Sequence, residues 1–299
     1  MTDSTTMSRP FGSQARPWLQ AMGVERFAAE LPGVMSRIGD IGFTGFETAL
    51  AVLPLDDPAT FTVWREAANG LTLVAAHTGG AWWDMDAGRD VPELVGKLAK
   101  LPALGCHRAM ASMGRGVIDL DADALRRTGD LLGELANRAA DVGVEIAIHN
   151  HAHELEDDAR VLHEIFEAAS ESPLKLGADL GWVRQGGVDP VAFIDAFGGL
   201  LSYLHVRDSG TPDGFIEVGR GSMDWSGIRA ALDRVGYRGW LVAESEFNDL
   251  WRGETDPDTT ARLQLEGMRG MFPSDDRPPP VTRFNCRANG GGWAGNCVG

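Results

Sequence analysis

The sequence predicts an α/β protein, a single-domain (β/α)8 barrel of the TIM type. From about residue 8 to residue 271, short apolar runs alternate with amphipathic stretches, as strands alternate with crossover helices. The alternation reaches eight units, and the chain of 299 residues exceeds the about 250 residues that such a barrel requires. No Gly-rich dinucleotide motif follows the first strand, so an open, doubly wound sheet is less favoured.

Each unit begins with a predicted strand and continues into a predicted helix. The strands cover residues 9–13, 43–48, 71–77, 104–111, 144–150, 174–180, 201–206 and 239–245. The helices cover residues 26–40, 57–69, 91–102, 121–141, 158–170, 189–199, 224–235 and 257–270. Two helix starts have clear signals, since Asp121 precedes an Ala/Leu-rich run and Asp189 precedes Pro190. Strands joined by helices in this way are expected to lie parallel, with right-handed crossovers.

The barrel domain is predicted to cover residues 1–271, and the composition changes after it. Residues 272–299 are rich in Pro and Gly and have no periodicity, which is typical of a disordered tail or an extended arm. Such an arm could pack against a neighbouring subunit of a homo-oligomer.

Charge and composition exclude several kinds of partner. The net charge of -16 argues against nucleic acid or an anionic membrane, because both favour clustered Lys and Arg. No apolar run approaches the roughly 20 residues of a membrane span, and the N-terminus lacks the apolar region of a secretory signal. We therefore expect a cytoplasmic protein. The three cysteines form no CxxC pair, so neither a zinc ribbon nor a disulfide framework is indicated.

Polar side chains end several strands on the face that points into the barrel, where active sites of such barrels lie. In the fifth strand, His149 and His151 alternate with an apolar face and therefore point inward. Asp179 ends the sixth strand on its inward face, where a buried carboxylate must pair or coordinate. The same alternation turns further polar side chains inward near strand ends: Glu47, His77, His205, Arg207 and Glu244.

Four consecutive strands each contribute one potential metal ligand, namely His149, Asp179, His205 and Glu244. Two imidazoles and two carboxylates suit Mn, Fe, Co or Zn better than Ca, which prefers oxygen ligands. The sequence thus predicts one bound divalent ion. The alternative is a network of ion pairs and hydrogen bonds that seals the mouth of the barrel.

Around these residues the chain resembles the xylose-isomerase-like family of barrels, often described as sugar phosphate isomerases/epimerases. The resemblance covers about residues 30–270, and its best segments are IGFTGFE (41–47), GVEIAIHNHAHELE (143–156), GADLGWVRQGGVDP (177–190), LHVRDSG (204–210), EVGRGSMDW (217–225) and GYRGWLVAESE (236–246). It implies binding of Mn²⁺ or a similar ion through Glu, Asp, His and Glu at the ends of strands five to eight. His149 stands in place of the first Glu, so an epimerisation that uses two metal-bound glutamates lacks one partner here. His151 is the natural replacement as the base.

The resemblance and the predicted ligands together imply an isomerase or epimerase acting on a sugar or keto-sugar. It would abstract a proton next to a carbonyl and pass through an enediolate. His151 is the predicted base, because an imidazole has an unperturbed pKa of about 6.5, and Glu244 is predicted to share the proton transfer. Residues predicted to contact the substrate are Glu47, His77, Trp182 and Arg207. Loss of a β-hydroxyl or alkoxyl from the same intermediate would instead give a dehydratase or lyase acting on a keto-inositol or a 3-keto-glycoside.

Three other classes of protein fit the sequence less well. A metal-dependent endonuclease would need a multi-zinc cluster and a basic groove, which the acidic composition disfavours. A non-catalytic barrel that binds a sugar or a partner protein would have a dispensable metal. A Schiff-base aldolase needs a lysine at a strand end, whereas Lys175 is expected about 13 Å below Asp179 by strand rise.

Overall fold

Eight parallel strands close into a barrel in this computed structural model, which describes residues 9–209 and 214–273. The described residues contain ten strands, of which eight form the barrel. They are β1 (Phe11–Gln14), β2 (Gly45–Ala49), β3 (Thr72–Gly80), β4 (Arg108–Met113), β5 (Glu145–His149), β6 (Lys175–Asp179), β7 (Leu201–Val206), β8 (Asp208–Ser209), β9 (Phe215–Ile216) and β10 (Leu241–Ala243). β8 and β9 form a short antiparallel hairpin outside the barrel. The other eight pair in chain order, and β10 closes the barrel against β1. The predicted fold class is confirmed.

Helices surround the barrel, and eight of them correspond to the predicted ones. They are α1 (Arg16–Met22), α2 (Val24–Ile41), α3 (Pro58–Ala67), α4 (Asp90–Leu98), α5 (Ala122–Asp141), α6 (Glu156–Ala168), α7 (Leu180–Gln185), α8 (Pro190–Phe197), α9 (Trp225–Arg234) and α10 (Pro257–Met271). The two predicted starts are correct: Asp121 caps α5 by accepting from the backbone N–H of Ala124, and Asp189 caps α8. The short helices α1 and α7 were not predicted.

The last described helix ends at Met271, and Phe272 packs edge-on against Trp225. Residues 274–299, which make up most of the predicted tail, lie outside the described residues. Within residues 9–209 and 214–273, no helix has the length and apolar character needed to cross a membrane.

The inside of the barrel is filled below its carboxyl-terminal rim. Val74, Met110, Tyr203 and Val242 form part of this inner cluster, separate from the larger core between the strands and the helices. Gly177 of β6 leaves room for the end of the Met110 side chain, whose Cε would overlap with a Cβ at this position. The interior is therefore packed, and polar side chains are left to the rim.

Candidate metal centre

The four predicted metal ligands meet at the carboxyl-terminal rim of the barrel. His149 ends β5, Asp179 ends β6, His205 lies in β7, and Glu244 directly follows β10. Each offers one ligand atom, and these atoms all lie within 4.8 Å of one another. All four residues are at most 2% exposed. The strand pairing causes this convergence, because Asp179 is paired in register with His205, and His205 with Val242 of β10.

His205 is at the centre of this group. Its Nδ1 lies 3.0 Å from Nδ1 of His149 and 2.9 Å from Oε2 of Glu244. Its Nε2 lies 2.8 Å from Oε2 of Glu47 on the opposite side of the ring. A carboxylate at that nitrogen fixes the tautomer of a metal-ligating histidine and makes the ring a better ligand. The buried Oε2 atom of Glu244 is thus paired with the ring of His205.

Glu47 connects His205 to the neighbouring strands β1 and β3. Its Oε1 accepts a hydrogen bond from Nε2 of Gln14 at 2.9 Å and lies 3.1 Å from Nδ1 of His77. His77 in turn lies 2.6 Å from the hydroxyl of Ser112 on β4. The predicted positions Glu47 and His77 thus lie beside the four ligands. Gln14 and Ser112 were not predicted, although both lie near the carboxyl ends of their strands.

Asp179 is held by Arg207 and by the first turn of α7. Arg207 Nη2 donates to Oδ2 of Asp179 at 2.6 Å, and the backbone N–H of Trp182 donates to Oδ1 at 2.9 Å. The guanidinium of Arg207 lies between two rings, 4.9 Å from the centroid of Trp182 and 3.7 Å from that of Phe215. Arg207 is fully buried and also lies 3.6 Å from Oε1 of Glu244. It therefore contacts two of the four ligands.

Two further polar residues fix the backbone at the ligands, and neither was predicted. The Oδ1 atom of Asn150 accepts from the backbone N–H of Asp179 at 3.0 Å. Nε2 of Gln264, on α10, donates to the backbone carbonyl of Glu244 at 3.1 Å. Both side chains are buried. They hold the strand ends that carry these two carboxylates.

Burial and neighbouring charges shift the pKa values of the buried carboxyl groups in different directions. Burial alone would raise the pKa of Glu47, but the charge of His205 and hydrogen bonds from His205 and His77 hold it well below its usual value. Burial also opposes ionisation of Glu244, whose pKa is nevertheless kept low by Arg207 and His205. For Asp179, burial and repulsion from Glu244 outweigh the attraction of Arg207 and raise the pKa to about 7.

The pKa values of the two proposed ligand histidines, His149 and His205, are also shifted in opposite directions. Burial lowers the pKa of His149 well below its usual value, so this ring is neutral and has a free lone pair. Burial also disfavours charge on His205, but Glu47 and Glu244 raise its pKa to about 10. In the metal-free site, His205 therefore provides positive charge between two carboxylates.

The charges of the site fit a divalent cation. Metal ligation requires neutral imidazoles, and His205 then no longer contributes positive charge. In that ligating state, with Asp179 ionised, the carboxylates of Glu47, Asp179 and Glu244 would carry three buried negative charges, and Arg207 would supply one positive charge. Two negative charges would then be uncompensated, which is costly in a buried site. One divalent ion bound by the two histidines, Asp179 and Glu244 would neutralise them.

A second group of polar residues lies next to this site. The ring of His151 is 4.9 Å from the ring of His149 and 5.6 Å from that of Trp182. His151, His153 and Glu154 also bring their ligand atoms within 4.8 Å of one another. The predicted base thus lies beside the predicted ligands.

A cleft of about 260 Å³ opens beside the candidate centre. Glu47 and His77 are among the residues that line it, together with Gln14, Arg16 and Thr78. The cleft gives a small polar molecule access to the side of the site formed by β1, β2 and β3.

A closed barrel with such a rim defines a (β/α)8 protein with a candidate metal centre at the carboxyl ends of its strands. Residues 36–270 match the family model described as the xylose isomerase-like TIM barrel, and the chain belongs to this family. The resemblance inferred from the sequence motifs is thereby confirmed.

Curated proteins with similar sequences include the rhizopine catabolism protein MocC of Rhizobium meliloti. That protein is 25% identical, and the match covers 67% of this chain and 71% of MocC. An inosose dehydratase of Lacticaseibacillus casei is 22% identical over 53% of this chain, and the match spans 60% of that enzyme. The chain is thus similar over less than two thirds of the dehydratase.

Solved structures with the same fold include several sugar epimerases. L-ribulose 3-epimerase has a TM-score of 0.69 and 20% identity, with 89% of this chain and 95% of that chain covered. The 3-keto-D-glucoside 4-epimerase YcjR from E. coli has a TM-score of 0.67 and 17% identity, with 88% of this chain and 100% of that chain covered. At these identities, the likeness shows the shared fold.

Proposed function

We propose that the protein is a divalent-metal-dependent isomerase or epimerase that acts on a sugar or keto-sugar. The observation that carries the proposal is the convergence of His149, Asp179, His205 and Glu244, all buried, on one point of the barrel rim. The epimerases among the structures with the same fold support the substrate class.

We assign these four residues to the metal ion, and Mn²⁺ is the ion that the family resemblance favours, with Zn²⁺, Co²⁺ and Fe²⁺ as alternatives. When bound, the ion supplies Lewis acidity that favours removal of a proton next to a carbonyl and stabilises the resulting negative charge. Glu47 would hold the Nε2–H of His205, leaving Nδ1 free on the side of His149 and Glu244.

The proton transfer is assigned to His151 and Glu244. His151 is the base because its side chain is 27% exposed and its ring lies against that of His149. Glu244 shares the transfer through its carboxylate, whose Oε2 lies 2.9 Å from Nδ1 of His205. A positioned base of this kind contributes about 10²–10⁴-fold to the rate.

The proposed substrate contacts differ in how they can act. Glu47 and His77 line the cleft and can contact a hydroxyl group there. Trp182 is partly exposed and can cover an apolar face of a sugar ring. Arg207 has no exposed surface, so its proposed role is to orient Asp179 and Glu244 rather than to bind the substrate.

A dehydratase or lyase acting on a keto-inositol or a 3-keto-glycoside is the second candidate. The inosose dehydratases among the similar proteins favour it, and so does His149, which leaves the site without a second metal-bound glutamate. Both candidates share the proton abstraction and differ in what leaves the intermediate. A cytoplasmic location and assembly into a homo-oligomer remain predictions from the sequence.

A substrate screen in D₂O separates the candidates. Keto-sugars, keto-inositols and 3-keto-glycosides are incubated with the Mn²⁺-loaded protein and followed by NMR. We expect deuterium exchange at the carbon next to the carbonyl, with a new epimer or isomer for the first candidate and an eliminated product for the second. His151→Ala should retain the ion and lose exchange. An absence of exchange with all substrates would contradict both candidates and favour a non-catalytic barrel, whereas salt-dependent DNA cleavage would favour an endonuclease.

A further inference from the structure

The ring of His151 has one buried nitrogen, and that nitrogen faces Glu154. Nδ1 of His151 lies 3.7 Å from Oε1 of Glu154. Both atoms are buried, and Oε1 also lies 3.1 Å from Nε2 of His153. The side chain of His151 is 27% exposed, and its exposed part excludes Nδ1.

Glu154 is fixed by its other oxygen. Oε2 accepts a hydrogen bond from the backbone N–H of His151 at 2.7 Å, which holds the carboxylate at the start of the short helical turn Ala152–Leu155. The side chain of Glu154 has no exposed surface. Burial opposes its ionisation, but His151 and His153 lower its pKa to about 2, so Glu154 is a carboxylate at neutral pH. Oε1 faces both rings, 3.7 Å from Nδ1 of His151 and 3.1 Å from Nε2 of His153.

We infer that Glu154 is a positioning residue for His151. It accepts a hydrogen bond from Nδ1–H, so that the lone pair of the neutral ring lies on Nε2, facing the barrel mouth. A small rotation of the imidazole closes the present separation, and catalytic hydrogen bonds commonly tighten when the substrate binds. The inference rests on the proposed function, in which His151 is the base, and it adds the residue that determines which nitrogen of His151 acts.

The backbone N–H of Glu154 faces the side chain of His151 in the capping box of this turn, and an Nδ1 that accepts from it is the competing arrangement. His153 offers a second one. Its Nε2 lies 3.1 Å from the same Oε1 of Glu154, and its ring is parallel to that of His151 at 5.1 Å. The same three residues could instead hold a second cation, because two imidazoles and one carboxylate are a known zinc ligand set. In that case Nδ1 of His151 would bind the ion and would carry no hydrogen. The two arrangements predict different metal contents.

Glu154→Gln is the informative variant. The carbonyl oxygen of the glutamine keeps the hydrogen bond from the backbone of His151, so the amide NH₂ takes the position of Oε1. An NH₂ group there donates to Nδ1 and moves the ring hydrogen to Nε2, which removes the lone pair from the open side. Glu156→Gln is the matched control, because Glu156 is exposed and pairs at 3.3 Å with Arg115 alone among the described residues.

The readouts are the tautomer of His151, kcat and KM, and the metal content. Tautomers are read by ¹⁵N NMR of histidine-labelled, Zn²⁺-loaded protein at about pH 8, with His151→Ala to assign the signals. We expect the Nδ1–H form in the wild type and in Glu156→Gln, and the Nε2–H form in Glu154→Gln. In Glu154→Gln, kcat should fall about 10–100-fold, the usual effect of losing such a partner, while KM changes less than about twofold and one ion per chain is retained.

Several outcomes would overturn the inference. An Nε2–H tautomer in the wild type would do so, and so would an unchanged kcat in Glu154→Gln. Two ions per chain in the wild type and one in Glu154→Gln would show that the three residues bind a cation. If His151→Ala keeps full deuterium exchange, the base assignment of the proposed function fails, and the tautomer of the wild type still reports separately whether Glu154 holds the ring.

Discussion

Arg207 is the residue whose burial most affects the electrostatics of the rim. It is enclosed by Trp182 and Phe215, and its Nη2 contacts both Asp179 and Glu244. A glycine at position 181 is needed beside it, because a Cβ there would lie 2.6 Å from its Cγ. The surroundings thus hold one cation beside two carboxylates, and a bound metal ion would share the same two carboxylates.

Replacing Arg207 should therefore destabilise the metal-free protein more than the metal-loaded protein. Removing one member of a buried ion pair costs about 3–5 kcal/mol, and we expect a loss of that size for Arg207→Met in chelator, measured by urea unfolding. With a saturating divalent ion the loss should be smaller, because the ion compensates the carboxylates. Arg220→Met is the control, since Arg220 is half exposed and lies 4.0 Å from its partner Glu217. Equal losses with and without the ion would contradict the prediction.

The same variant should respond to pH with a defined sign. The pKa of Asp179 is already raised to about 7, chiefly by burial, and it should rise further without Arg207. The folded protein then binds a proton that the unfolded chain has released, so stability falls as the pH rises towards the folded pKa. In chelator, Arg207→Met should therefore lose more stability at about pH 8 than at about pH 6.

At the scale of the elements, the predictions from sequence succeeded where a pattern repeats over many residues. Every barrel strand and every long helix was predicted, because each has its own periodicity. The helix α7 was missed because its six residues are too few to show a period, and it begins at Leu180, directly after β6. The hairpin β8–β9 was missed for the same reason, although it brings Phe215 onto Arg207.

In the candidate site, too, only the residues that belong to a recognisable sequence pattern could be predicted. The four proposed ligands could be predicted because they are titratable residues at successive strand ends. Asn150, Gln264 and Ser112 are uncharged, and nothing in the sequence separates them from ordinary polar residues. The contact between Glu47 and His205 joins residues 158 positions apart, and strand alternation gives the face of each side chain but not its partner across the barrel.

Asp208 holds the segment between β9 and α9, and it provides a test at this scale. Its carboxylate accepts from the backbone N–H groups of Gly219 at 2.9 Å and Met223 at 3.0 Å, and from Nε1 of Trp225 at 2.7 Å. Met223 and Trp225 are buried, and Asp208→Ala leaves their two donors without an acceptor, each at about 1–3 kcal/mol. We expect the free energy of unfolding to fall by at least about 2 kcal/mol. The exposed Asp249→Ala should change it by less than about 0.5 kcal/mol, and a similar small change for Asp208→Ala would contradict this role.

At the scale of the whole molecule, the negative charge of the protein divides into exposed surface charges and the buried carboxylates of the barrel rim. The chain has a net charge of -16, but most charges lie on the surface, where solvent and salt screen them. The carboxylates of Asp179 and Glu244 at the rim are buried and are not screened in this way. A divalent cation should therefore act on the stability of the barrel through the rim and not through the surface.

Metal removal separates these two effects. At an ion concentration 100 times Kd, binding to the folded state adds about 2.7 kcal/mol, which corresponds to roughly 5–11 °C in Tm for a domain of this size. We expect Mn²⁺ to raise the Tm of chelator-treated protein by this amount, measured by calorimetry, and the same concentration of Na⁺ to leave it unchanged.

Glu244→Gln should abolish the increase, because it removes the charge of one proposed ligand while keeping its shape. Glu217→Gln changes a buried carboxylate that lies outside the four ligands, and it should keep the increase. If Mn²⁺ raised the Tm of Glu244→Gln as much as that of the wild type, the ion would be binding elsewhere, and the rim would be a sealed network of ion pairs and hydrogen bonds.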